Sequence, residues 1–234
     1  MQPHPQPVLD ALRRYNAPTI ANAIEMFEVV PRNQGFMDAS IKCVFPQMPP
    51  FVGYAVTAKI RAAQPPGPDV RVTVDDHYQH ILSIPAPRVI VVQDLDDPPC
   101  IGSLWGEVNG NIHKALGCVA VVTDGGVRDL DEVEALGLPL FARDVIVSHA
   151  YVHLVEVGTP VTVGGLTVQP GDLLHGDKHG VIRVPHAVAG RIPAAVEVLE
   201  EWERGVIRVC QAPDFSVEKL RAAQRAPRRA MPSY

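Results

Sequence analysis

The sequence has little of what disulfide-bonded, secreted or membrane-spanning proteins require. Its 234 residues include four cysteines, at positions 43, 100, 118 and 210, and no pair has CxxC spacing. These gaps indicate no disulfide framework, and free thiols favour a reducing compartment. No apolar run approaches the length of a membrane span, and the N-terminus lacks the basic start and apolar stretch of a signal peptide. We therefore expect a cytoplasmic protein with no membrane partner.

A strong charge of either sign is also absent. The net charge is −5 and the pI is about 6.0, so the composition gives no reason to expect a nucleic-acid partner. Lysine is rare, and no lysine stands within a continuous apolar run where desolvation would lower its pKa for Schiff-base chemistry. This argues against an enzyme that forms a Schiff base between a lysine and its substrate. The motifs GxGxxG, P-loop and GxSxG are missing as well.

The centre of the chain alternates apolar strands with helices. Short, continuous apolar runs are typical of strands that are buried on both faces. Each segment with helical spacing is followed by a glycine, a common helix stop. The resulting β-α-β-α-β order predicts an α/β fold with a parallel, right-handed sheet. The predicted strands cover 88–94, 118–123 and 138–142, and the predicted helices cover 103–116 and 128–136.

The flanking segments add helices on the N-terminal side and strands on the C-terminal side. Two helices are predicted within 8–28, the second capped by Thr19. Residues 151–184 alternate with a period of two and carry a hairpin signal at Gly164-Gly165, so this half is predicted to be mainly β. Further predictions are a strand over 53–62, a helix over 71–83, and a helix over 186–209 interrupted near Pro193.

The domain organisation follows from the lack of linkers and internal repeats. We expect a single catalytic domain over residues 8–209. Residues 210–234 form a C-terminal extension, and its Arg- and Pro-rich end after residue 222 is predicted to be disordered.

Unusual residues follow the first two central strands. Glu107 comes after the first strand, and Arg128 and Asp129 come after the second, behind the pair Gly125-Gly126. Ligands of parallel sheets bind beyond the C-terminal strand ends, so two carboxylates and a guanidinium are expected to converge on one pocket. Carboxylate oxygens bind Mg²⁺ or Mn²⁺, and an arginine guanidinium can bind a carboxylate through two parallel hydrogen bonds. Such a site could stabilise the enolate of a 2-oxo acid.

The same residue types also have a purely structural interpretation. Glu, Arg and Asp at helix starts serve capping and dipole compensation, so the spacing alone leaves both interpretations open. The pair Gly125-Gly126 favours the functional interpretation, because glycine lets a backbone approach a ligand closely. Two histidine pairs with a spacing of four, 149/153 and 175/179, could bind zinc on a helix, but both fall in predicted strand or turn sequence.

The stretch around these residues resembles a known family. Trp105-Gly106-Glu107, then twenty residues, then Arg128-Asp129 is similar to the acid-x20-Arg-Asp signature of the RraA-like family, which includes class II 4-hydroxy-4-methyl-2-oxoglutarate aldolases. The run 117–127 resembles the family's GxxGVVxDGxVRD run. The similarity covers most of residues 18–185, with further matching segments at 19–23, 139–143, 160–165 and 168–172.

The resemblance implies a layered α/β/β/α sandwich, similar to a phosphohistidine domain, and a role for each site residue. Asp129 would bind Mg²⁺ or Mn²⁺ directly, and Glu107 would reach the metal through water. Arg128 would hold the pyruvyl carboxylate and carbonyl, helped by the backbone amides of Val108 and Asn109.

The resemblance also implies a homotrimer or homohexamer with the site at a subunit interface. A glutamate from the C-terminal helix of the neighbouring subunit would complete the metal site. Glu203 matches this position best, and Glu200 and Glu201 are close in sequence.

The implied function is a class II lyase that cleaves a 4-hydroxy-2-oxo acid to pyruvate and could also decarboxylate oxaloacetate. Two alternatives stay open: a non-catalytic regulator that binds a ribonuclease, and a lyase for another 2-oxo acid. Residues 63–80 depart from the family pattern where substrate selection is expected. His77 and His80 in this segment either contact substrate or lie on a helix face.

Overall fold

The computed structural model describes residues 2–227, which form seven α-helices, one 3₁₀ helix and thirteen strands. The helices are α1 (Gln6–Leu12), α2 (Ala17–Glu25), α3 (Val74–Ser83), α4 (Glu107–Ala115), α5 (Leu130–Leu136), α6 (Ile192–Gln211) and α7 (Val217–Arg225), with the 3₁₀ helix at Ala189–Arg191. The strands are β1 (Lys42–Cys43), β2 (Phe51–Arg61), β3 (Arg88–Asp94), β4 (Ser103–Trp105), β5 (Cys118–Thr123), β6 (Gly126–Val127), β7 (Leu140–Ala142), β8 (Asp144–Val145), β9 (His153–Val157), β10 (Val161–Val163), β11 (Leu166–Val168), β12 (Leu173–Asp177) and β13 (Gly180–Val184).

Eight of these strands form one mixed sheet. Its order is β1-β7-β5-β3-β2-β12-β13, and β9 pairs with the second half of β2. Strands β2, β3, β5 and β7 run parallel, whereas β1, β9, β12 and β13 pair antiparallel. The predicted α/β class and the parallel β-α-β-α-β unit are therefore confirmed. Strands β3 and β5 have the predicted bounds.

The central strands bury apolar side chains on both faces. On one face, Ile90 packs in a cluster with Ile81 of α3 and Val133 of α5. On the other face, Val91 packs in a cluster with Val163 of the β10–β11 hairpin. A third cluster joins α1, α2 and α6 to β12 and β13. The layers on both faces explain why β3 and β5 read as continuous apolar runs instead of alternating ones.

The β10–β11 hairpin confirms the predicted two-residue turn. Gly164 and Gly165 connect Val163 to Leu166 and both have positive φ, 52° and 71°. This conformation suits the type I′ turn that matches the twist of paired strands, and it strongly favours glycine.

Two helix starts differ from the prediction. The N-cap of α2 is Asn16, whose side-chain oxygen accepts from the N–H of Thr19 at 2.9 Å, so the assignment of the cap to Thr19 was wrong. Pro193 does not interrupt a helix but lies in the first turn of α6, where a proline costs no hydrogen bond.

The C-terminal segment is more ordered than the sequence indicates. Helix α7 extends from Val217 to Arg225, and its N-cap is Ser216, whose hydroxyl accepts from the N–H of Lys219. The prediction of disorder after residue 222 was therefore wrong for the end of α7, and the part that concerns residues 228–234 lies outside the described residues. Within residues 2–227, no helix is both long enough and apolar enough to cross a bilayer.

Candidate active site

A second, three-stranded parallel sheet carries the predicted site residues. Strands β4, β6 and β8 follow β3, β5 and β7 along the chain and pair in the order β4-β6-β8. The sequence prediction treated 103–106 as helix and placed the site at the edge of the main sheet. That was wrong, because residues 103–105 form β4. Glu107 and Arg128 instead follow β4 and β6, in this smaller sheet.

Ser103 ties β4 to β6. Its hydroxyl oxygen lies 2.6 Å from the carbonyl oxygen of Trp105 and 2.8 Å from that of Gly126, and it accepts from the N–H of Trp105 at 3.0 Å. The N–H of Arg128 also donates to the carbonyl of Trp105, at 3.2 Å. These bonds fix the start of α4 relative to the segment that carries Asp129.

Buried carboxylates hold the loops between the two sheets. Asp124 accepts from the N–H of Asp94 at 2.7 Å, and Asp94 accepts from the N–H groups of Asp96 and Cys100 at 3.0 and 2.8 Å. Burial raises the pKa of Asp124 to about 6 and also raises the pKa of Asp94. Sequence reasoning gave neither Asp124 nor Asp94 a role in the site. The sequence does contain a signal for both: Asp94 is the last residue of β3, and Asp124 directly follows β5.

Asp129 occupies the N-cap position of α5 but does not cap that helix. Its backbone is left-handed, with φ 54° and ψ 49°, and its side chain makes no capping bond within α5. The carboxylate oxygen Oδ2 instead accepts from the N–H of Glu107 at 3.0 Å, at the start of α4. Gly106 leaves room for this contact, since a Cβ there would collide with Oδ2. The capping interpretation is therefore wrong for α5, and the carboxylate is directed towards α4.

Arg128 lies beside this carboxylate and remains accessible. Its Nε is 4.0 Å from Oδ1 of Asp129, beyond hydrogen-bond distance. Its Nη1 contacts the carbonyl of Val147 at 3.5 Å. The side chains of Arg128 and Asp129 are 36% and 37% exposed, so both can reach a ligand.

A cavity of about 290 Å³ opens in front of these two side chains. Gly106 at its rim is the N-cap of α4 and supplies no side chain, so the side-chain acceptor for the first turn of α4 is Asp129 from the start of α5. Glu107 contributes its backbone N–H to the site, while its exposed side chain is not part of the wall. The predicted residues Arg128, Asp129, Val108 and Asn109 line the cavity together with Ser103, Leu104, Gly106, His149 and Val152.

The chemistry of the donors suits a hard divalent cation, although one chain supplies only part of a site. Within residues 2–227, Oδ1 of Asp129 accepts no hydrogen bond, and Glu107, whose backbone N–H contacts Oδ2, is exposed. Mg²⁺ is commonly held by one or two carboxylates and several waters. Among residues 2–227, no group of three or more His, Cys, Asp or Glu side chains could hold a metal ion.

Glu203 lies elsewhere in the same chain. It is on α6 and lines a groove with Glu25 and Arg32 near α2, and it shares no wall with the cavity at Asp129. Glu200 in the preceding turn pairs with Arg204 at 3.4 Å. A role for Glu203 therefore requires a second subunit, as the resemblance implies, and it stays a prediction.

A larger cavity of about 590 Å³ adjoins the first one, and the two share Leu104, Asn109 and Val152. His77 lines this larger cavity, whereas His80 does not. The Nε2 atom of His77 lies 3.0 Å from Nε2 of His113, and both side chains are 2% exposed. Sequence reasoning missed His113 because the two histidines are 36 residues apart.

The histidine pairs with a spacing of four do not form zinc sites among the described residues. His149 lines the smaller cavity and His153 lines the larger one. His175 is fully buried, with Nε2 2.9 Å from the carbonyl oxygen of Tyr15, and His179 contacts Asp177.

Comparison with known proteins assigns this arrangement to a family. The RraA-like family model, described as Aldolase/RraA, matches residues 9–183. A Halalkalibacterium halodurans protein named "Putative 4-hydroxy-4-methyl-2-oxoglutarate aldolase" is 33% identical over 98 residues, 42% of this chain and 46% of that protein. An uncharacterized Methanocaldococcus jannaschii protein is 28% identical over 126 residues, 53% of this chain and 61% of that protein. The chain thus covers less than two thirds of either relative.

Solved structures share the fold. A crystal structure of an uncharacterized protein from Pseudomonas syringae is 26% identical, with a TM-score of 0.71 over 94% of this chain and 95% of that one. Streptomyces coelicolor RraAS2, described as an unusual member of the RNase ES inhibitor RraA protein family, is 22% identical, with a TM-score of 0.69 over 87% of this chain and 97% of that one. Because the family model spans most of the main sheet and the whole site, the chain belongs to the RraA-like, or Aldolase/RraA, family.

Proposed function

We propose that this protein is a divalent-metal-dependent lyase that cleaves a 4-hydroxy-2-oxo acid to pyruvate and a second carbonyl compound. The observation that carries the proposal is the convergence of Arg128, Asp129 and the first turn of α4 on one cavity. The relative named as an aldolase agrees with this function.

The substrate carboxylate is expected to bind between Arg128 and α4. The guanidinium offers paired donors in the geometry of a carboxylate, and the N–H groups of Val108 and Asn109 lie at the positive end of the α4 dipole. Both kinds of donor line the same cavity, so the pyruvyl end of the substrate would be fixed at two points.

Asp129, with Glu107 and a glutamate of a second subunit, would hold Mg²⁺ or Mn²⁺. When bound, this ion would polarise the 2-oxo group and lower the energy of the enolate. The hydrogen bond from Glu107 N–H to Oδ2 orients the carboxylate, so that Oδ1 remains available. The left-handed backbone of Asp129 is uncommon for a residue other than glycine, which supports a functional constraint.

The cleavage itself breaks the C3–C4 bond. The C4 hydroxyl loses its proton and becomes the new carbonyl, while the bonding electrons pass to C3 as the pyruvate enolate, which is then protonated. Loss of CO₂ from oxaloacetate gives the same enolate, so the same site would also serve as a decarboxylase.

The test measures pyruvate release from 4-hydroxy-4-methyl-2-oxoglutarate and from oxaloacetate, with Mg²⁺ or Mn²⁺ and with EDTA. We expect release that EDTA abolishes and either metal restores. Release that is unaffected by EDTA would contradict metal dependence. No release from either compound by folded, metal-supplied protein would favour the regulator alternative or a different 2-oxo acid.

A further inference from the structure

We infer that the 590 Å³ cavity beside Arg128 and Asp129 is a binding site for an apolar substituent of the substrate, so that the preferred substrates are 2-oxo acids with an aryl or branched alkyl group in place of a second carboxylate. The inference rests on the proposed function, because it concerns the same substrate, at the end opposite the carboxylate that Arg128 binds.

The walls of this cavity carry no fixed charge among the described residues. Val70 and Val72 before α3 and Val74 at its start line the cavity together with Leu104 and Leu154. Of the residues in 2–227 that line it, none is an arginine, lysine, aspartate or glutamate. Its volume lies within the range of roughly 300–1,000 Å³ of small-molecule sites. An apolar group gains free energy here by leaving water, whereas a carboxylate would lose hydration without finding a cation.

The two buried histidines do not offer a donor to a carboxylate either. Burial lowers the pKa of both, that of His77 to about 3, so both rings are neutral at pH 7. Nδ1 of His113 lies 2.7 Å from the carbonyl oxygen of Asn109 and must carry the proton. Nε2 of His113 is therefore an acceptor, and His77 donates to it through Nε2. Each ring has thus used its single N–H group inside the protein.

Two further polar side chains of the wall make hydrogen bonds within the protein. The side-chain amide of Asn109 donates to the carbonyl of Leu104 at 2.6 Å, and Nδ1 of His153 lies 2.8 Å from the carbonyl oxygen of Tyr151. The hydroxyl of Tyr78 can supply one neutral contact.

The position of the cavity identifies its occupant. It shares Leu104, Asn109 and Val152 with the smaller cavity, so a ligand anchored by its carboxylate at Arg128 extends into it directly. The wall formed by residues 66–74 belongs to the segment that departs from the family pattern. The unusual segment thus shapes the end of the substrate that would vary between enzymes.

Binding of uncleavable 2-oxo acids tests the inference without catalysis. Three probes are compared in Mg²⁺: 2-oxo-4-phenylbutanoate, 2-oxoglutarate and 2-oxobutanoate. Isothermal titration calorimetry gives each dissociation constant directly, so a side chain introduced by substitution does not disturb the readout. We expect the phenyl compound to bind about tenfold or more tightly than 2-oxoglutarate.

Two substitutions of one wall residue sharpen the test. Val72→Trp fills the cavity and should remove the advantage of the phenyl compound over 2-oxobutanoate. Val72→Arg supplies a cation and should shift the preference towards 2-oxoglutarate. The matched control is Val217→Trp, at the exposed start of α7, which should leave the order of affinities unchanged.

The outcomes separate the two proposals. If 2-oxobutanoate binds and the phenyl compound gains nothing, the cavity inference is overturned and the pyruvyl site stands. If none of the three probes binds, both fail. If Val72→Trp leaves all affinities unchanged but weakens self-association, a second copy of the chain occupies the cavity, and the inference is overturned as well.

Discussion

The carboxylate of Asp129 accepts a hydrogen bond from the backbone N–H of Glu107 at 3.0 Å, across 22 residues of sequence. A side chain at the start of α5 thereby closes the first turn of α4. The contact joins the two predicted halves of the site and defines which oxygen of Asp129 remains available to a ligand.

Asp129→Asn should separate catalysis from folding. The amide oxygen can still accept from Glu107, and asparagine tolerates the left-handed backbone, so the free energy of unfolding should change by less than about 1 kcal/mol. Loss of the negative charge should lower metal-dependent pyruvate release about a hundredfold or more, equivalent to about 2.7 kcal/mol. Asp131→Asn, at an exposed position of α5, is the control for charge. Full activity of Asp129→Asn would remove Asp129 from the proposed metal site.

Gly106→Ala should displace the carboxylate without unfolding the chain. The added Cβ collides with Oδ2 of Asp129, a movable side-chain end, so the carboxylate must rotate away from Glu107. We expect loss of about 1 kcal/mol in stability and about a tenfold lower kcat/KM for pyruvate release.

Gly205→Ala is the control for glycine substitution. Nothing lies within 4 Å of a Cβ at this position of α6, so the change should raise stability by about 0.5–1 kcal/mol and leave activity unaltered. Equal kcat/KM values for Gly106→Ala and Gly205→Ala would show that the position of the Asp129 carboxylate does not affect catalysis.

Asp124→Asn should make stability less dependent on pH. Burial raises the folded-state pKa of Asp124 to about 6 from an ordinary value of 3.8, so the folded protein holds this proton more tightly than the unfolded chain. Its contribution to stability is therefore full below about pH 4 and is lost as the pH rises from 3.8 to 6. Asparagine keeps the acceptor for Asp94 N–H and avoids that loss.

Urea unfolding at pH 4.5 and pH 7.5 measures this effect. The variant should gain about 1–2 kcal/mol over the wild type at pH 7.5 relative to pH 4.5. Asp131→Asn, exposed on α5, serves as the control. A gain of the same size at both pH values would contradict the raised pKa.

Mixing two inactive variants tests the predicted shared site. If Asp129 of one subunit and Glu203 of its neighbour form one site, Asp129→Ala and Glu203→Ala chains are each inactive. A mixed ring then contains an interface with both wild-type residues, so co-expression should restore part of the activity. Repeating the experiment with Glu200→Ala and Glu201→Ala identifies which glutamate contributes. Full activity of all three glutamate variants would contradict the interface site.

The central fold was predictable because its signal is local. Continuous apolar runs such as 88–94 and 118–123 can be stable only as strands covered on both faces, and the helices between them force parallel pairing. The Gly164-Gly165 turn was predictable for the same reason, because a two-residue turn with positive φ at both positions strongly favours two glycines. The candidate site residues Glu107, Arg128 and Asp129 could also be found in the sequence, because they follow these strands.

Only the tertiary structure decided how those residues meet. Strands of two or three residues such as β4, β6 and β8 are too short for any periodicity, so their sheet was not predictable. The direction of the Asp129 carboxylate depends on the space left by Gly106, and the pairing of His77 with His113 depends on packing between α3 and α4. The sequence by itself determined the parallel core and which residues are candidates for the site, because burial and turn geometry act locally. The orientation of the site and the apolar cavity beside it arise from contacts between distant segments, which no local pattern encodes.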